Sequence, residues 1–339
     1  MLIDPSPGAP AFVAGLGPSR PPAFIYSGMG AQWWGMGAEL YASEPTFRAA
    51  IDHCDALWPG ASLTRFFTGG LDATPMPHPA DAQPAGLALQ VALTELWRSR
   101  GVEPAAIVGH SFGEIAAAWA AGAISLEQAL SIAYHRSRLE ERVAGRGAML
   151  AVAMSEAAAR EVLPGGVTLA AVNGANAVTL AGTPAALDAL AAQLEVPAKR
   201  LDVSVAYHSA EIDHLWLDFH AAVGHVGAVT PRIPLYSTVA GADVTRAGYW
   251  WRNLRETTRF DAALRRMAQD GFTVFAEIGP HPQLSALVLE AVPGSVAVSS
   301  MRRGRGQGET FTRALERVLA HAPSAAGLHR ASYAAVLPS

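Results

Sequence analysis

"AAIVGHSFGEIAAAWAAG", residues 105–122, sets an apolar run, a G-x-S-x-G and an alanine-rich stretch in direct succession. "AAIVGH" (105–110) reads as a buried strand, and a helix is predicted from Ser111 to near Gly122. Strand, sharp turn and helix form the setting of a nucleophile elbow on an α/β sheet. Such a turn crowds the backbone around the serine, so both flanking positions, Gly109 and Gly113, favour glycine. It exposes the Ser111 hydroxyl, and the helix N-terminus aims N–H groups at developing negative charge. Ser111 is therefore the candidate nucleophile. The other reading is a Gly-rich turn in which Ser111 only caps the helix.

Outward from the elbow, strand-like and helix-like segments alternate, which predicts an α/β fold with a mainly parallel sheet. "AFIYS" (23–27) is a short strand followed by the Gly-rich "SGMGAQWWGMG" (27–37). "GLALQVALTELWRSRG" (86–101) and "SLEQALSIAYHRSRLEERVAG" (125–145) read as helices, the second with Ser125 as N-cap. Residues 147–203 then change pattern to βαββαβ, the split ferredoxin-like unit, with its central strands placed around an Asn173-Gly174 turn. The chain resumes with "LYSTV" (235–239), helices around "YWWRNLR" and "RFDAALRRMAQDG", and the strands "TVFAEIG" (273–279) and "SVAVSS". The expected organisation is an α/β-hydrolase-like large subdomain from 22–146 and 206–305, with a ferredoxin-like small subdomain, 147–205, inserted in it. Residues 1–21 read as a linker, and 306–339 as a C-terminal helix and a second linker.

Composition narrows the function. Of 339 residues half are hydrophobic and 16% charged, which fits a well-buried enzyme and argues against disorder. The net charge of −4 offers no basic stripe for a phosphate backbone, so nucleic acid is not an expected partner. One cysteine, Cys54, excludes an intrachain disulfide and points to a reducing compartment, with a cytoplasmic location expected. The N-terminus lacks a basic region followed by an apolar run, and no apolar stretch is long enough to span a membrane, so no membrane partner is expected.

A nucleophilic serine needs a base and an oxyanion hole. Among eleven histidines, His208 in "DVSVAYHSAEID" ends a strand-like run ahead of a helix, a usual place for catalytic groups in α/β folds. His110, beside the serine, is a pocket-lining candidate, and His281 sits at a turn. His208, His214 and His220 recur every six residues, which turns about 240° around a helix, so they share no face and no metal site is expected. The N–H of Phe112 supplies one oxyanion donor, and the loop at Met29 supplies the other. Gly28 and Gly30 would let that loop approach closely.

Taken together these residues resemble the acyltransferase family that loads acyl carrier proteins: malonyl-CoA transacylases and the acyltransferase domains of polyketide and fatty-acid synthases. "GHSFGE", "SGMGAQWWGMG", "HRSRL", "AAVNGANAVTLAG", "VAYHS", "YWWRNLRE" and "FAEIGPHPQL" match family motifs in order, from about Ala23 to Ala320. The resemblance implies that Ser111 attacks an acyl-CoA thioester, with His208 as base. It implies that Arg136 holds the free carboxylate of malonyl and that the backbone carbonyl of Asn253 orients His208, so that Asn253→Ala should be mild. Gln32, His110, Tyr207 and Val205 are its pocket residues. No permanently bound cofactor is implied; acyl-CoA and the phosphopantetheine of an acyl carrier protein are substrates, and neighbouring ketosynthase and other synthase domains are expected partners. Met29 departs from the Gln of stand-alone bacterial members and resembles animal fatty-acid synthases and some iterative polyketide synthases. Val205-Ala206-Tyr207-His208 sits nearer the family's malonyl pattern HAFH than its methylmalonyl pattern YASH. The aromatic at 207 fills the space an α-methyl would need. Malonyl is the favoured extender, methylmalonyl or a larger alkylmalonyl the alternative. Two other classes remain: a serine hydrolase such as a thioesterase, for which Asp202, Asp213 or Asp218 would orient the histidine, and a non-catalytic docking domain.

Overall fold

The computed structural model describes residues 20–69 and 73–322. The C-terminal linker beyond residue 322, and the N-terminal one up to residue 19, lie outside the described residues.

The chain enters through β1 (Ala23–Tyr26), followed by α1 (Ala38–Ser43), α2 (Pro45–Leu57), α3 (Arg65–Thr68) and α4 (Pro79–Ser99). Next come β2 (Ala106–Gly109), α5 (Gly113–Ala120) and α6 (Leu126–Glu141). β3 (Ala148–Val152), α7 (Glu156–Val162), β4 (Val167–Gly174), β5 (Ala177–Gly182), α8 (Pro184–Ala191) and β6 (Ala198–Arg200) form the inserted unit. A 3₁₀ turn at Ala210–Leu215 leads through α9 (Trp216–Val223) to β7 (Leu235–Tyr236), α10 (Tyr249–Arg255), β8 (Thr258–Arg259) and α11 (Phe260–Gln269). β9 (Val274–Ile278), α12 (Ser285–Ala291), β10 (Val296–Ser299) and α13 (Gln307–His321) complete it.

The first sheet runs β10-β9-β1-β2-β7, parallel throughout. Its central strands are continuous apolar runs because helices cover both faces. On β1, Phe24 and Tyr26 enter the core shared with α2, α4, α5 and α6, while Ala23 and Ile25 enter the one shared with α11 and α12. α4 starts at Pro79, ahead of the predicted residue 86. Pro79 occupies the first turn, where no backbone donor is lost, and Pro84 is accommodated farther in. α6 opens on a full capping box, Ser125 with Gln128.

The second sheet runs β6-β3-β5-β4-β8. Its first four strands are antiparallel neighbours in the expected ferredoxin-like order. Two details differ from the sequence reading. The β4–β5 turn falls on Ala175-Asn176, not on Asn173-Gly174, which still lie in β4, Gly174 paired with Ala177. The fifth strand, β8, comes from residues after the insertion and pairs in parallel with β4. The small sheet therefore reaches across the division expected at 205/206. No helix among the described residues is long and apolar enough to cross a membrane.

Candidate active site

The elbow is built by steric exclusion. A Cβ on Gly109 would lie 2.4 Å from the Glu114 backbone, and one on Gly113 would lie 2.3 Å from the Tyr26 carbonyl oxygen. Ser111 itself sits at φ 52°, in the left-handed region that side chains seldom adopt. The helix begins at Gly113 rather than at Ser111, because the serine is the turn and not the first helical residue.

The Ser111 hydroxyl lies 2.7 Å from His208 Nε2, across 97 residues of sequence. His208 shares the left-handed conformation (φ 58°) and sits in irregular chain, not at the end of a strand. Its Nδ1 is 2.8 Å from the Glu256 carbonyl oxygen. That contact assigns the proton to Nδ1 and leaves Nε2 to accept a hydrogen bond from the Ser111 hydroxyl. Glu256, rather than the expected Asn253, thus provides the orienting carbonyl. α10 ends at Arg255, so the Glu256 carbonyl lies beyond the helix and is free to face His208, whereas Asn253 lies within α10. Two residues farther on, β8 enters the small sheet, and Thr257 Oγ1 donates to the Leu169 carbonyl (2.8 Å). The carbonyl is thereby held from both subdomains. Among the described residues no aspartate bonds to His208 Nδ1: Asp213 pairs with Arg255 and Asp218 with Arg142.

Burial, reinforced by Arg136 and His110, lowers the His208 pKa from 6.5 to about 3. The folded protein keeps this imidazole neutral while the unfolded chain protonates near 6.5. The stability it contributes is therefore complete above pH 6.5 and is lost as the pH falls towards 3. Urea midpoints measured across that interval should fall more steeply for the wild type than for His208→Gln; parallel slopes would refute this.

Arg136 projects from α6 and is 1% exposed. Its Nε donates to Glu140 Oε1 (2.8 Å) and its Nη1 to Asn253 Oδ1 (2.8 Å), while Nη2 is buried without a partner. Asn253 Nδ2 in turn donates to the Ser111 carbonyl (3.1 Å). The Asn253 side chain, not its carbonyl, therefore ties the cation to the Ser111 backbone. Asn253→Ala is accordingly expected to be damaging. Losing buried hydrogen bonds to a charged group, worth roughly 1.5–3 kcal/mol, should lower acylation of Ser111 by about tenfold or more. Glu256→Ala, which keeps its carbonyl, should stay within about threefold of wild type. The reverse ranking in a stopped-flow acylation assay would overturn both assignments.

The loop after β1 presses on the elbow. A Cβ on Gly28 would lie 2.9 Å from the His110 carbonyl oxygen and 3.7 Å from Ser111 Cβ. Among the described residues, neither the Met29 nor the Phe112 N–H donates to a protein acceptor. Gln32, expected in the pocket, is instead a brace: its amide accepts from Gly30 N (2.9 Å) and donates to the Gly28 carbonyl (3.0 Å), clasping the loop at Met29. His110 Nε2 meets Asn173 Oδ1 of the small subdomain at 2.8 Å, while its ring packs on Phe260 of α11. Val205 lines a separate cavity of about 230 Å³ with Arg146, Glu211 and His214, away from Ser111. The Tyr207 hydroxyl is buried against Gln83 rather than exposed in the cleft. Glu114 of the motif is structural, its carboxylate accepting from Thr238 N (2.7 Å), Thr238 Oγ1 and Tyr249 OH. Sequence reasoning passed over Glu140, Gln83, Asn173 and Glu256. Only Glu140 had a local signal, the i, i+4 spacing from Arg136.

The acyl transferase domain family matches this chain over residues 23–324. The chain belongs to that family. Its relatives include the spectinabilin polyketide synthase system protein NorC of Streptomyces orinoci, 42% identical over 317 residues, which cover 88% of this chain and 14% of that protein. Erythronolide synthase EryA2 of Saccharopolyspora erythraea is 40% identical over 316 residues, 86% of this chain and 9% of that one. The acyl transferase domain thus spans a small fraction of the curated relatives it matches. Among solved structures, the acyltransferase domain from module 8 of the salinomycin polyketide synthase aligns with a TM-score of 0.84 at 34% identity, covering 91% of this chain and 78% of that one. A loading acyltransferase from the avermectin modular polyketide synthase aligns at 0.82 and 32%, covering 87% and 99%. The two-sheet architecture described above is the acyltransferase fold.

Proposed function

We propose that this acyltransferase domain moves a malonyl-type unit from CoA to the phosphopantetheine thiol of an acyl carrier protein in polyketide assembly, by a ping-pong route through Ser111. The observation that carries this reading is Arg136: a buried cation tethered to the nucleophile's own carbonyl, with its Nη2 left unpartnered. An unsatisfied buried donor costs stability, so it is retained where a ligand completes it. A free carboxylate on the acyl group is the chemistry that fits.

Ser111 Oγ attacks the thioester carbonyl as His208 Nε2 takes its proton. The oxyanion is received by the Met29 and Phe112 N–H groups. The carbon–sulfur bond then breaks and CoA leaves with the proton from His208. The carrier thiol enters by the reverse steps, giving its proton to His208 and releasing Ser111. A carbonyl behind His208 suffices, since the imidazolium is transient and Nδ1–H needs only an acceptor. The residue at 207 is a tyrosine, whose bulk favours malonyl over an α-branched unit. Mass spectrometry of the intact domain after competing malonyl-, methylmalonyl-, ethylmalonyl- and acetyl-CoA should show a malonyl adduct on Ser111. That adduct should be discharged faster by a carrier protein than by water. Hydrolysis equally fast without a carrier would instead identify a thioesterase.

A further inference from the structure

Glu140 lies one helical turn after Arg136 and is fully buried, in a site where an ionised carboxylate is costly. Its Oε1 accepts from Arg136 Nε at 2.8 Å and its Oε2 from Gln83 Nε2 of α4. Gln83 also faces the Tyr207 hydroxyl, which is buried with it. Burial pushes the Tyr207 phenol well up, with Glu140 adding to the shift and Arg136 and Gln83 opposing it, so the phenol feels the Glu140–Arg136 pair directly.

A guanidinium is planar, so two contacts fix its orientation. Glu140 takes Nε and Asn253 takes Nη1, which leaves Nη2 as the edge that meets a ligand. Glu140 also cancels much of the Arg136 charge. A bare cation would attract a substrate carboxylate more strongly, but it would be costly to keep dry and free to swing away between turnovers.

We propose that Glu140 is a positioning residue that sets the acyl specificity of this site, holding Arg136 with Nη2 presented and moderating its pull on the acyl carboxylate. This inference rests on the reading of Arg136 as the partner of that carboxylate. The two functions of Glu140 separate by substitution. Glu140→Gln keeps an oxygen for Arg136 Nε, and Gln83 can turn its amide to match. It removes the negative charge near the substrate.

The test compares kcat and KM for malonyl-CoA and acetyl-CoA in the wild type, Glu140→Gln, Glu140→Leu and Arg136→Ala, with melting curves for each. Glu140→Gln is expected to lower the malonyl-CoA KM by about fivefold and to raise the malonyl-to-acetyl ratio of kcat/KM by a similar factor. Glu140→Leu, which removes the anchor as well as the charge, is expected to lower that ratio by about tenfold. The opposite signs identify positioning, because a purely structural carboxylate would move both substrates together. If Glu140→Gln leaves the ratio as it was, or lowers it, the inference is overturned, whether or not the leucine variant folds. If Arg136→Ala affects both substrates equally, the reading beneath it fails instead.

Discussion

Replacing His208 with alanine should slow the uptake of malonyl by Ser111 by about 10²–10⁴-fold, the range for loss of a positioned general base. The serine hydroxyl then has no acceptor at 2.7 Å. A mutational effect of this size needs the imidazole neutral, and the buried site supplies that, with a His208 pKa of about 3. The acylation rate should consequently show no limb from this histidine in the neutral range. His208→Ala should also keep the Arg136–Asn253–Ser111 tether, since no contact of that chain runs through the imidazole. Binding of malonyl-CoA should therefore survive largely intact while chemistry stops. The measurement is single-turnover acylation beside equilibrium binding. A variant that loses affinity and rate in equal measure would place His208 in binding rather than in proton transfer.

Arg136→Ala should lower kcat/KM for malonyl-CoA by about 10–150-fold, the equivalent of a charge-assisted contact worth roughly 1.5–3 kcal/mol, and should lower it far less for acetyl-CoA. This substitution also strands Glu140 and the Asn253 amide oxygen. Stranding a buried charge costs about 3–5 kcal/mol when the partner is removed. Burial already raises the Glu140 pKa, and Arg136 is what chiefly opposes the rise. Without Arg136 the carboxylate should take up a proton, which limits the destabilisation near neutral pH. Arg136→Ala/Glu140→Gln should then recover most of any lost melting temperature without recovering malonyl selectivity. Recovery of both together would mean that Arg136 acts only through stability.

The elbow was legible because its causes are local. The close approaches at Gly109 and Gly113 involve Glu114, five residues on from Gly109, and Tyr26 on the adjoining strand, and an apolar run before a helical run places them. The inserted unit was legible through the change of hydrophobic period. Its turn was misplaced by two residues, since Asn173-Gly174 carries the stronger local turn signal but the pairing of β4 with β5 overrides it. Gln32 and Val205 were misassigned for a related reason. A motif position reveals which loop a residue belongs to, but not whether its side chain faces the cleft, the loop itself or another cavity.

By itself the sequence determined the parallel sheet, the inserted ferredoxin-like unit, and the residue types at the centre: a strained serine, a histidine and an arginine. These follow from backbone sterics, hydrophobic periodicity and motif order, all properties of short stretches. Only the tertiary structure decided how they are joined. Arg136 meets Asn253 across 117 residues and Asn253 meets the Ser111 carbonyl across 142. The carbonyl that orients His208 belongs to Glu256, and a backbone carbonyl is chemically the same at every position. Which one faces an imidazole depends on where a helix ends and which strand follows it, and here that is α10 giving way to β8 in the neighbouring sheet.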